Sequence, residues 1–230
     1  MKVLAIDTSN FTLGIALVDG SQVIGEYTTN LKKNHSVRVM PAIETLLKDC
    51  DTAPKDLTKI VVAKGPGSYT GVRIGVTIAK TLAWTLQIPL SGVSSLEVLA
   101  ANGRYFNGLI SPLFDARRGQ VYTGLYEMEN NLLKTVLEDC NILSSEWAKR
   151  LKDMNRPILF IGQDTDIHRE AIDEALGDLA VFAPIQSFNS RPSELAFLGL
   201  DKIEEDIHQF VPNYIRMAEA EAKWLEQQGK

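Results

Sequence analysis

What most constrains this chain of 230 residues is that one order of elements is written along it twice. Residues 2–7 form an unbroken apolar run, residues 12–18 alternate, Asp19-Gly20 marks a turn, and residues 22–29 make a third β-rich run, which together predict an antiparallel meander. Met40, Ile43, Leu46, Leu47 and Cys50 then recur at helical spacing behind Ser36, a candidate N-cap. Residues 59–63 read as a strand ending in glycines, 71–86 as a helix, 88–91 as a short strand, and 94–102 as a helix capped by Ser94 or Ser95. The order βββαβαβα then repeats. Strands are expected at 109–114, 120–127 and 132–138, a helix at 144–153, a strand at 157–161, a helix at 166–176, a strand at 180–182 and a helix at 193–205.

Two copies of a meander followed by βα units predict two mixed sheets, each backed by helices, with a cleft between them. That is the plan of actin, sugar kinases and heat-shock ATPases. The expected fold is a duplicated α/β, actin-like (ribonuclease H-like, ASKHA) two-lobed fold, each lobe a mixed five-stranded sheet with helices. Residues 1–103 form the expected first lobe and 104–209 the second. Segment 210–230 is expected to pack back on the first lobe, extended over 210–216 and helical over 218–224.

A composition of 45% hydrophobic and 23% charged residues supports a core in each lobe. The net charge of -5, from 24 basic and 29 acidic residues without a polybasic run, disfavours a free-standing RNA binder, so any nucleic-acid contact must be local or made through a partner. Cys50 and Cys140 form no CxxC pair, which argues against zinc ribbons and redox pairs and fits a reducing compartment, with the cytoplasm as expected location. No apolar stretch approaches the ~18 residues of a membrane span, and neither signal nor anchor is expected.

Three places could carry chemistry. In KGPGSYTGVRIG a strand runs through Gly65, Pro66, Gly67, Ser68, Tyr69 and Thr70 into a helix, so the first helical amides could hold an anion. The spacing is neither a Walker loop nor GxGxxG, and a strained turn that merely packs the lobe explains it equally well. Within the following helix, Gly71, Gly75, Ala79 and Ala83 recur every fourth residue and form a strip for close approach of another element, from this chain or from a partner. Finally, Asp7-Thr8-Ser9 and Asp115-Ala116-Arg117 end the first strand of each half. ATPases of this fold place Asp-x-Gly phosphate loops there; Ser9 and Arg117 stand where the glycines would, which predicts a weakened or lost nucleotide site. Arg117 is expected to meet a phosphate or to pair with Asp7 or Asp115, and the lone Gly162 of FIGQD points to the same loss. His35, His168 and His208 are isolated, with Val39 four residues after His35, so no metal site is expected. GxSxG is absent, leaving Ser68 as the only serine in a glycine-flanked turn, and the acidic stretches at 204–206 and 219–226 read as solvated helix faces.

At VLAIDTS, NHS with MPAIETLL, GPGSYTGVRIG with AKTLAW, DARRGQVYTGLY and PNYIR, the chain resembles the TsaB (YeaZ) family, required for threonylcarbamoyladenosine formation in bacterial tRNA. The resemblance implies an actin-like protein without catalysis, metal or cofactor of its own, paired with the transferase TsaD and joined by the ATPase TsaE. A shared interface of the complex is left open to ATP or ADP, and tRNA is expected to be reached through the complex, with direct contact left open. It further implies that first-lobe helices of the two proteins pack together, matching the Gly71, Gly75, Ala79, Ala83 strip with a partner and setting Met40, Ile43 and Leu47 beside it, with Arg73 in the motif. Val37 departs from the family's usual Glu after His-Ser, and Pro41 falls early in its helix. Two other readings stay open: a homodimer through the same strip, and a self-standing enzyme, either a sugar-kinase-type ATPase using Asp7 and Asp115 or a peptidase using Ser68.

Overall fold

The computed structural model describes residues 1–31 and 34–215. Its first sheet contains β1 (Lys2–Asp7), β2 (Leu13–Asp19), β3 (Gln22–Thr29), β4 (Lys59–Ala63) and β5 (Leu90–Val93), in the order β3-β2-β1-β4-β5. Its second contains β6 (Leu109–Asp115), β7 (Gln120–Glu129), β8 (Leu132–Leu143), β9 (Ile158–Ile161) and β10 (Ala180–Phe182), in the order β8-β7-β6-β9-β10. Each sheet pairs its first strand antiparallel to the second and parallel to the fourth. The repeated element order of the sequence is thus a repeated topology, and the duplicated α/β fold is as expected.

Among the described residues, six α-helices cover the sheets: α1 (Val39–Asp49), α2 (Tyr69–Leu86), α3 (Ser95–Ala100), α4 (Ser144–Lys152), α5 (Thr165–Leu176) and α6 (Pro192–Leu200). The central strand β1 is apolar throughout because both its faces are covered. Leu4 and Ile6 pack under α1 and α2, while Val3 and Ala5 pack against Leu195 and Ala196 of α6. In the second sheet, Leu109 and Leu113 meet Trp147, Ala148 and Ile172 from α4 and α5. Ile110 and Phe114, on the opposite face, meet Leu96 and Leu99 of α3.

The third helix of each half therefore crosses over. α3 follows the first sheet in sequence but packs on β6, β7 and β8, and α6 follows the second sheet but packs on the first. Boundaries at 103 and 209 separate the strands of the two sheets, not the helices that cover them. Periodicity could not reveal this, since an amphipathic helix shows that it has an apolar face but not which sheet that face covers. Close approach fixes α6 in place: a side chain at Gly199 would overlap Val61, and Pro192 lies over Gly14.

Other departures are local. Asn34, rather than Ser36, caps a 3-10 turn at His35–Val37 that precedes α1, and Pro41 falls in the first turn of α1, where its missing N–H removes no helical bond. The edge strand β8 continues to Leu143 through register shifts opposite β7, which blur its alternation. Helix α6 stops at Leu200, and the chain returns to the first lobe: Glu205 N–H donates to Leu90 O at 2.8 Å, Asn213 N–H donates to Lys64 O at 2.7 Å, and Phe210 enters the core under α2. The helix expected at 218–224 lies outside the described residues.

Candidate functional site

The segment Gly65 to Arg73 closes over the end of β1. Gly65 has φ +99°, which favours glycine, and its peptide bond to Pro66 is cis. Ser68 N–H donates to Ser9 O at 2.7 Å, and a side chain at Gly67 would overlap that same carbonyl. Ser68 then caps α2, its Oγ accepting from Gly71 N–H at 3.4 Å. Thr8 Oγ1 donates to Gly71 O at 2.7 Å, and a methyl at Gly75 would lie 2.5 Å from Thr8 Oγ1.

This geometry corrects the docking strip. Gly71, Gly75, Ala79 and Ala83 are buried, the two alanines at 0% exposure, because they let α2 lie directly on Thr8 and on the β1 and β4 side chains. Ile43 and Leu47 are buried in the same core, and of the seven residues expected at a partner interface only Met40 is exposed, at 45%. The outward faces of the two helices carry different residues: Met40 on α1 with Val37 in the turn before it, and Arg73, Thr77, Thr81 and Trp84 on α2, with Trp84 57% exposed and Ile74 and Ile78 half-buried.

Asp7 sits beneath the loop at 6% exposure. Its Oδ1 accepts from Ser9 N–H at 2.9 Å and Ser9 Oγ at 2.7 Å. Burial raises its pKa above the usual carboxylate range, against the opposing pull of those two hydrogen bonds and of nearby His35. His35 Nε2 lies 2.9 Å from Asn10 O.

The second corner is built alike. Asp115 Oδ1 accepts from Arg117 N–H at 3.2 Å and lies 3.0 Å from His168 Nε2, and Asp164 Oδ2 accepts from Asp115 N–H at 3.0 Å. Of the two roles open to Arg117, the ion pair is not formed: among the described residues its guanidinium pairs with neither Asp7 nor Asp115. Arg117, Arg118 and Gly119 have φ +65°, +54° and +72°, and this left-handed run turns the Arg117 side chain outward while its main chain takes the carboxylate. Gly162, at φ +143°, passes so close to Leu113 O that only glycine fits there.

Between the corners opens a cleft of about 730 Å³, walled by Gly67, Ser68 and Tyr69 on one side, Asp115, Arg117, Arg118 and Tyr122 on the other, and Asn213 and Tyr214 of the returning segment. Arg73 stacks 4.0 Å above the Tyr69 ring and its Nε donates to Tyr214 Oη at 2.7 Å; the two tyrosine rings lie 5.0 Å apart. Sequence reading missed His168, Tyr122 and Tyr214. The partners of His168 and Tyr214 lie 53 and 141 residues away, and no local pattern marks such pairs. Above the cleft, Gln163 Nε2 donates to Thr12 Oγ1 at 2.9 Å and Asn30 Oδ1 at 3.1 Å, tying the second sheet's loop to the first lobe. Among the described residues no three His, Cys, Asp or Glu side chains converge as metal ligands, and no helix is long and apolar enough to cross a membrane.

A family model described as TsaD, tRNA N6-adenosine threonylcarbamoyltransferase, matches residues 22–224. The tRNA threonylcarbamoyladenosine biosynthesis protein TsaB of Bacillus subtilis is 63% identical over 228 residues, which cover 99% of this chain and 100% of that protein. The chain belongs to the TsaB family. This family is named for tRNA threonylcarbamoyladenosine biosynthesis. In structure, the TsaB-family chain is similar to a Pseudomonas aeruginosa protein described as uncharacterized with similarity to peptidase YEAZ, at TM-score 0.82 and 23% identity over 94% of this chain and 99% of that one. It also shares its fold with a ROK hexokinase from Thermus thermophilus, at TM-score 0.50 and 11% identity over 86% of this chain and 98% of that one.

Proposed function

We propose that this TsaB-family chain is a non-catalytic scaffold and activator in the machinery that makes threonylcarbamoyladenosine beside the anticodon of tRNA, pairing with the transferase TsaD and the ATPase TsaE. The observation that carries this reading is the closure of the first corner by the chain's own loop. In an ATPase of this fold the backbone after the first aspartate must admit a phosphate, whereas here Gly67 and Ser68 lie on the Ser9 carbonyl and Asp7 spends its oxygen on Ser9. Ser68 fares no better as a nucleophile: among the described residues its Oγ bonds to the Gly71 N–H and to no base.

A scaffold needs a face to offer. The outward sides of α1 and α2 supply one, with Val37, Met40 and Trp84 exposed and Ile74 and Ile78 half-buried. Scattered apolar residues are ordinary on a surface, but several on two neighbouring helices fit a helix-pairing interface. The test is reconstituted transfer of the threonylcarbamoyl group to tRNA by TsaD and TsaE with and without this chain. Transfer should collapse on omission, and undiminished modification would defeat the reading.

A further inference from the structure

The cleft remains unexplained by docking through α1 and α2. Its lip carries Arg117 and Arg118 in consecutive left-handed conformations, a backbone that residues with a Cβ adopt only when their surroundings impose it. The Arg117 guanidinium is exposed and takes no hydrogen bond or ion pair among the described residues. Asp115, the acidic residue among the described cleft walls, is already engaged by His168 and by the Arg117 main chain. Facing these cations stands an aromatic platform, with Tyr69 41% and Tyr214 39% exposed, braced by Arg73 stacking on one ring and bonding the hydroxyl of the other. Cations set opposite ordered rings match a ligand that presents phosphate and an unstacked base together. The volume, about 730 Å³, lies within the roughly 300–1,000 Å³ of ligand pockets.

We propose that this cleft contacts the substrate tRNA directly, taking a single-stranded nucleotide whose phosphate meets Arg117 and whose base stacks at Tyr69 and Tyr214. The net charge of -5 excludes a broad electrostatic surface, so the contact is local and adds to what the partners provide. This inference rests on the proposed function, since it presumes a tRNA substrate.

The test uses the complex reconstituted from this chain, TsaD and TsaE, with tRNA affinity measured across a salt titration. Arg117→Asn removes the charge while suiting the left-handed backbone, so the variant should fold and still co-elute with TsaD. Loss of one charged contact should weaken tRNA binding roughly tenfold. The slope of log affinity against log salt should flatten by about 0.7, as for one single-strand phosphate contact. Tyr69→Leu should weaken binding while leaving that slope unchanged. Wild-type affinity and slope in Arg117→Asn, with assembly intact, would overturn the tRNA contact and leave the scaffold role standing. So would ATP binding to the chain alone that Arg117→Asn abolishes without affecting tRNA, which marks a mononucleotide site. Failure of the scaffold role shows separately, as transfer undiminished when the whole chain is omitted.

Discussion

Replacing Gly75 by alanine should destabilise this chain, although the same change in an exposed helix would stabilise it. Alanine gains about 1 kcal/mol over glycine in a helix interior. Here the new methyl would sit 2.5 Å from Thr8 Oγ1, a buried hydroxyl that donates to Gly71 O at 2.7 Å. Thr8 cannot rotate away without breaking that bond, worth about 1 kcal/mol. Moving α2 off β1 instead incurs an overpacking cost of about 1–3 kcal/mol. Set against the gain of about 1 kcal/mol, the balance is a loss of up to about 2 kcal/mol, read from the urea midpoint at unchanged m-value. The decisive measurement is the cycle with Thr8→Ala. Once Oγ1 is gone the next atom beyond Thr8 is Val62 Cγ2 at 3.6 Å, an ordinary contact, so in that background Gly75→Ala should stabilise by about 1 kcal/mol. A change of equal sign and size in both backgrounds would refute the close packing of α2 on Thr8.

Trp84→Glu and Met40→Glu alter exposed positions, so chain stability should move by less than about 0.5 kcal/mol while co-elution with TsaD is lost; retained co-elution would remove the outward helix face from the interface. Lys59 is a buried amine whose Nζ donates to Leu200 O at 3.0 Å, holding the C-terminal end of α6, and Lys59→Met should cost about 1–3 kcal/mol, seen as a lower thermal midpoint. Two carboxylates should respond to pH with opposite sign. The Asp7 pKa is raised, chiefly by burial, so its contribution is full below the ordinary aspartate range and falls as pH rises through the raised value. Asp7→Asn keeps an acceptor for Ser9 and should therefore be more stable than wild type at pH ~7, with the advantage vanishing below about pH 3.9. Burial also pushes Glu26 upward, but hydrogen bonds from Arg191, Ser193 N–H and Ser193 Oγ outweigh it and hold its pKa below the usual range. Glu26→Gln should thus be less stable at neutral pH, the deficit fading as pH falls below the ordinary glutamate range through the lowered pKa. Urea unfolding across a pH series tests both, and parallel profiles would disprove the assignment.

Much of the fold is legible from local pattern. The continuous apolar runs of β1 and β4, the turn at Asp19-Gly20 and the helical spacing of α1 and α2 are near-neighbour signals, and both copies of the order βββαβαβα are found where they point. Departures fall where local and distant forces compete. Strand β8 outlasts its alternation because it lies at a sheet edge with irregular register, and the residues after Leu200 unwind from the expected helix to pair with Leu90 and Lys64.

The sequence by itself determined the two sheets, the family motif and the oddity of glycine and alanine at every fourth position of α2, since each is carried by residues near one another in the chain. The tertiary structure alone decided what those features face. Spacing says that something approaches the small strip closely, but it is Thr8, just past β1 and 63 residues before Gly71, that fills it together with Val62 of β4. The exchange of α3 and α6 between sheets, the sealing of Asp7 beneath Gly67 and Ser68, and the meeting of Arg73 with Tyr214 across 141 residues have the same origin. Periodicity shows that a face is apolar or small; only the folded chain shows what covers it.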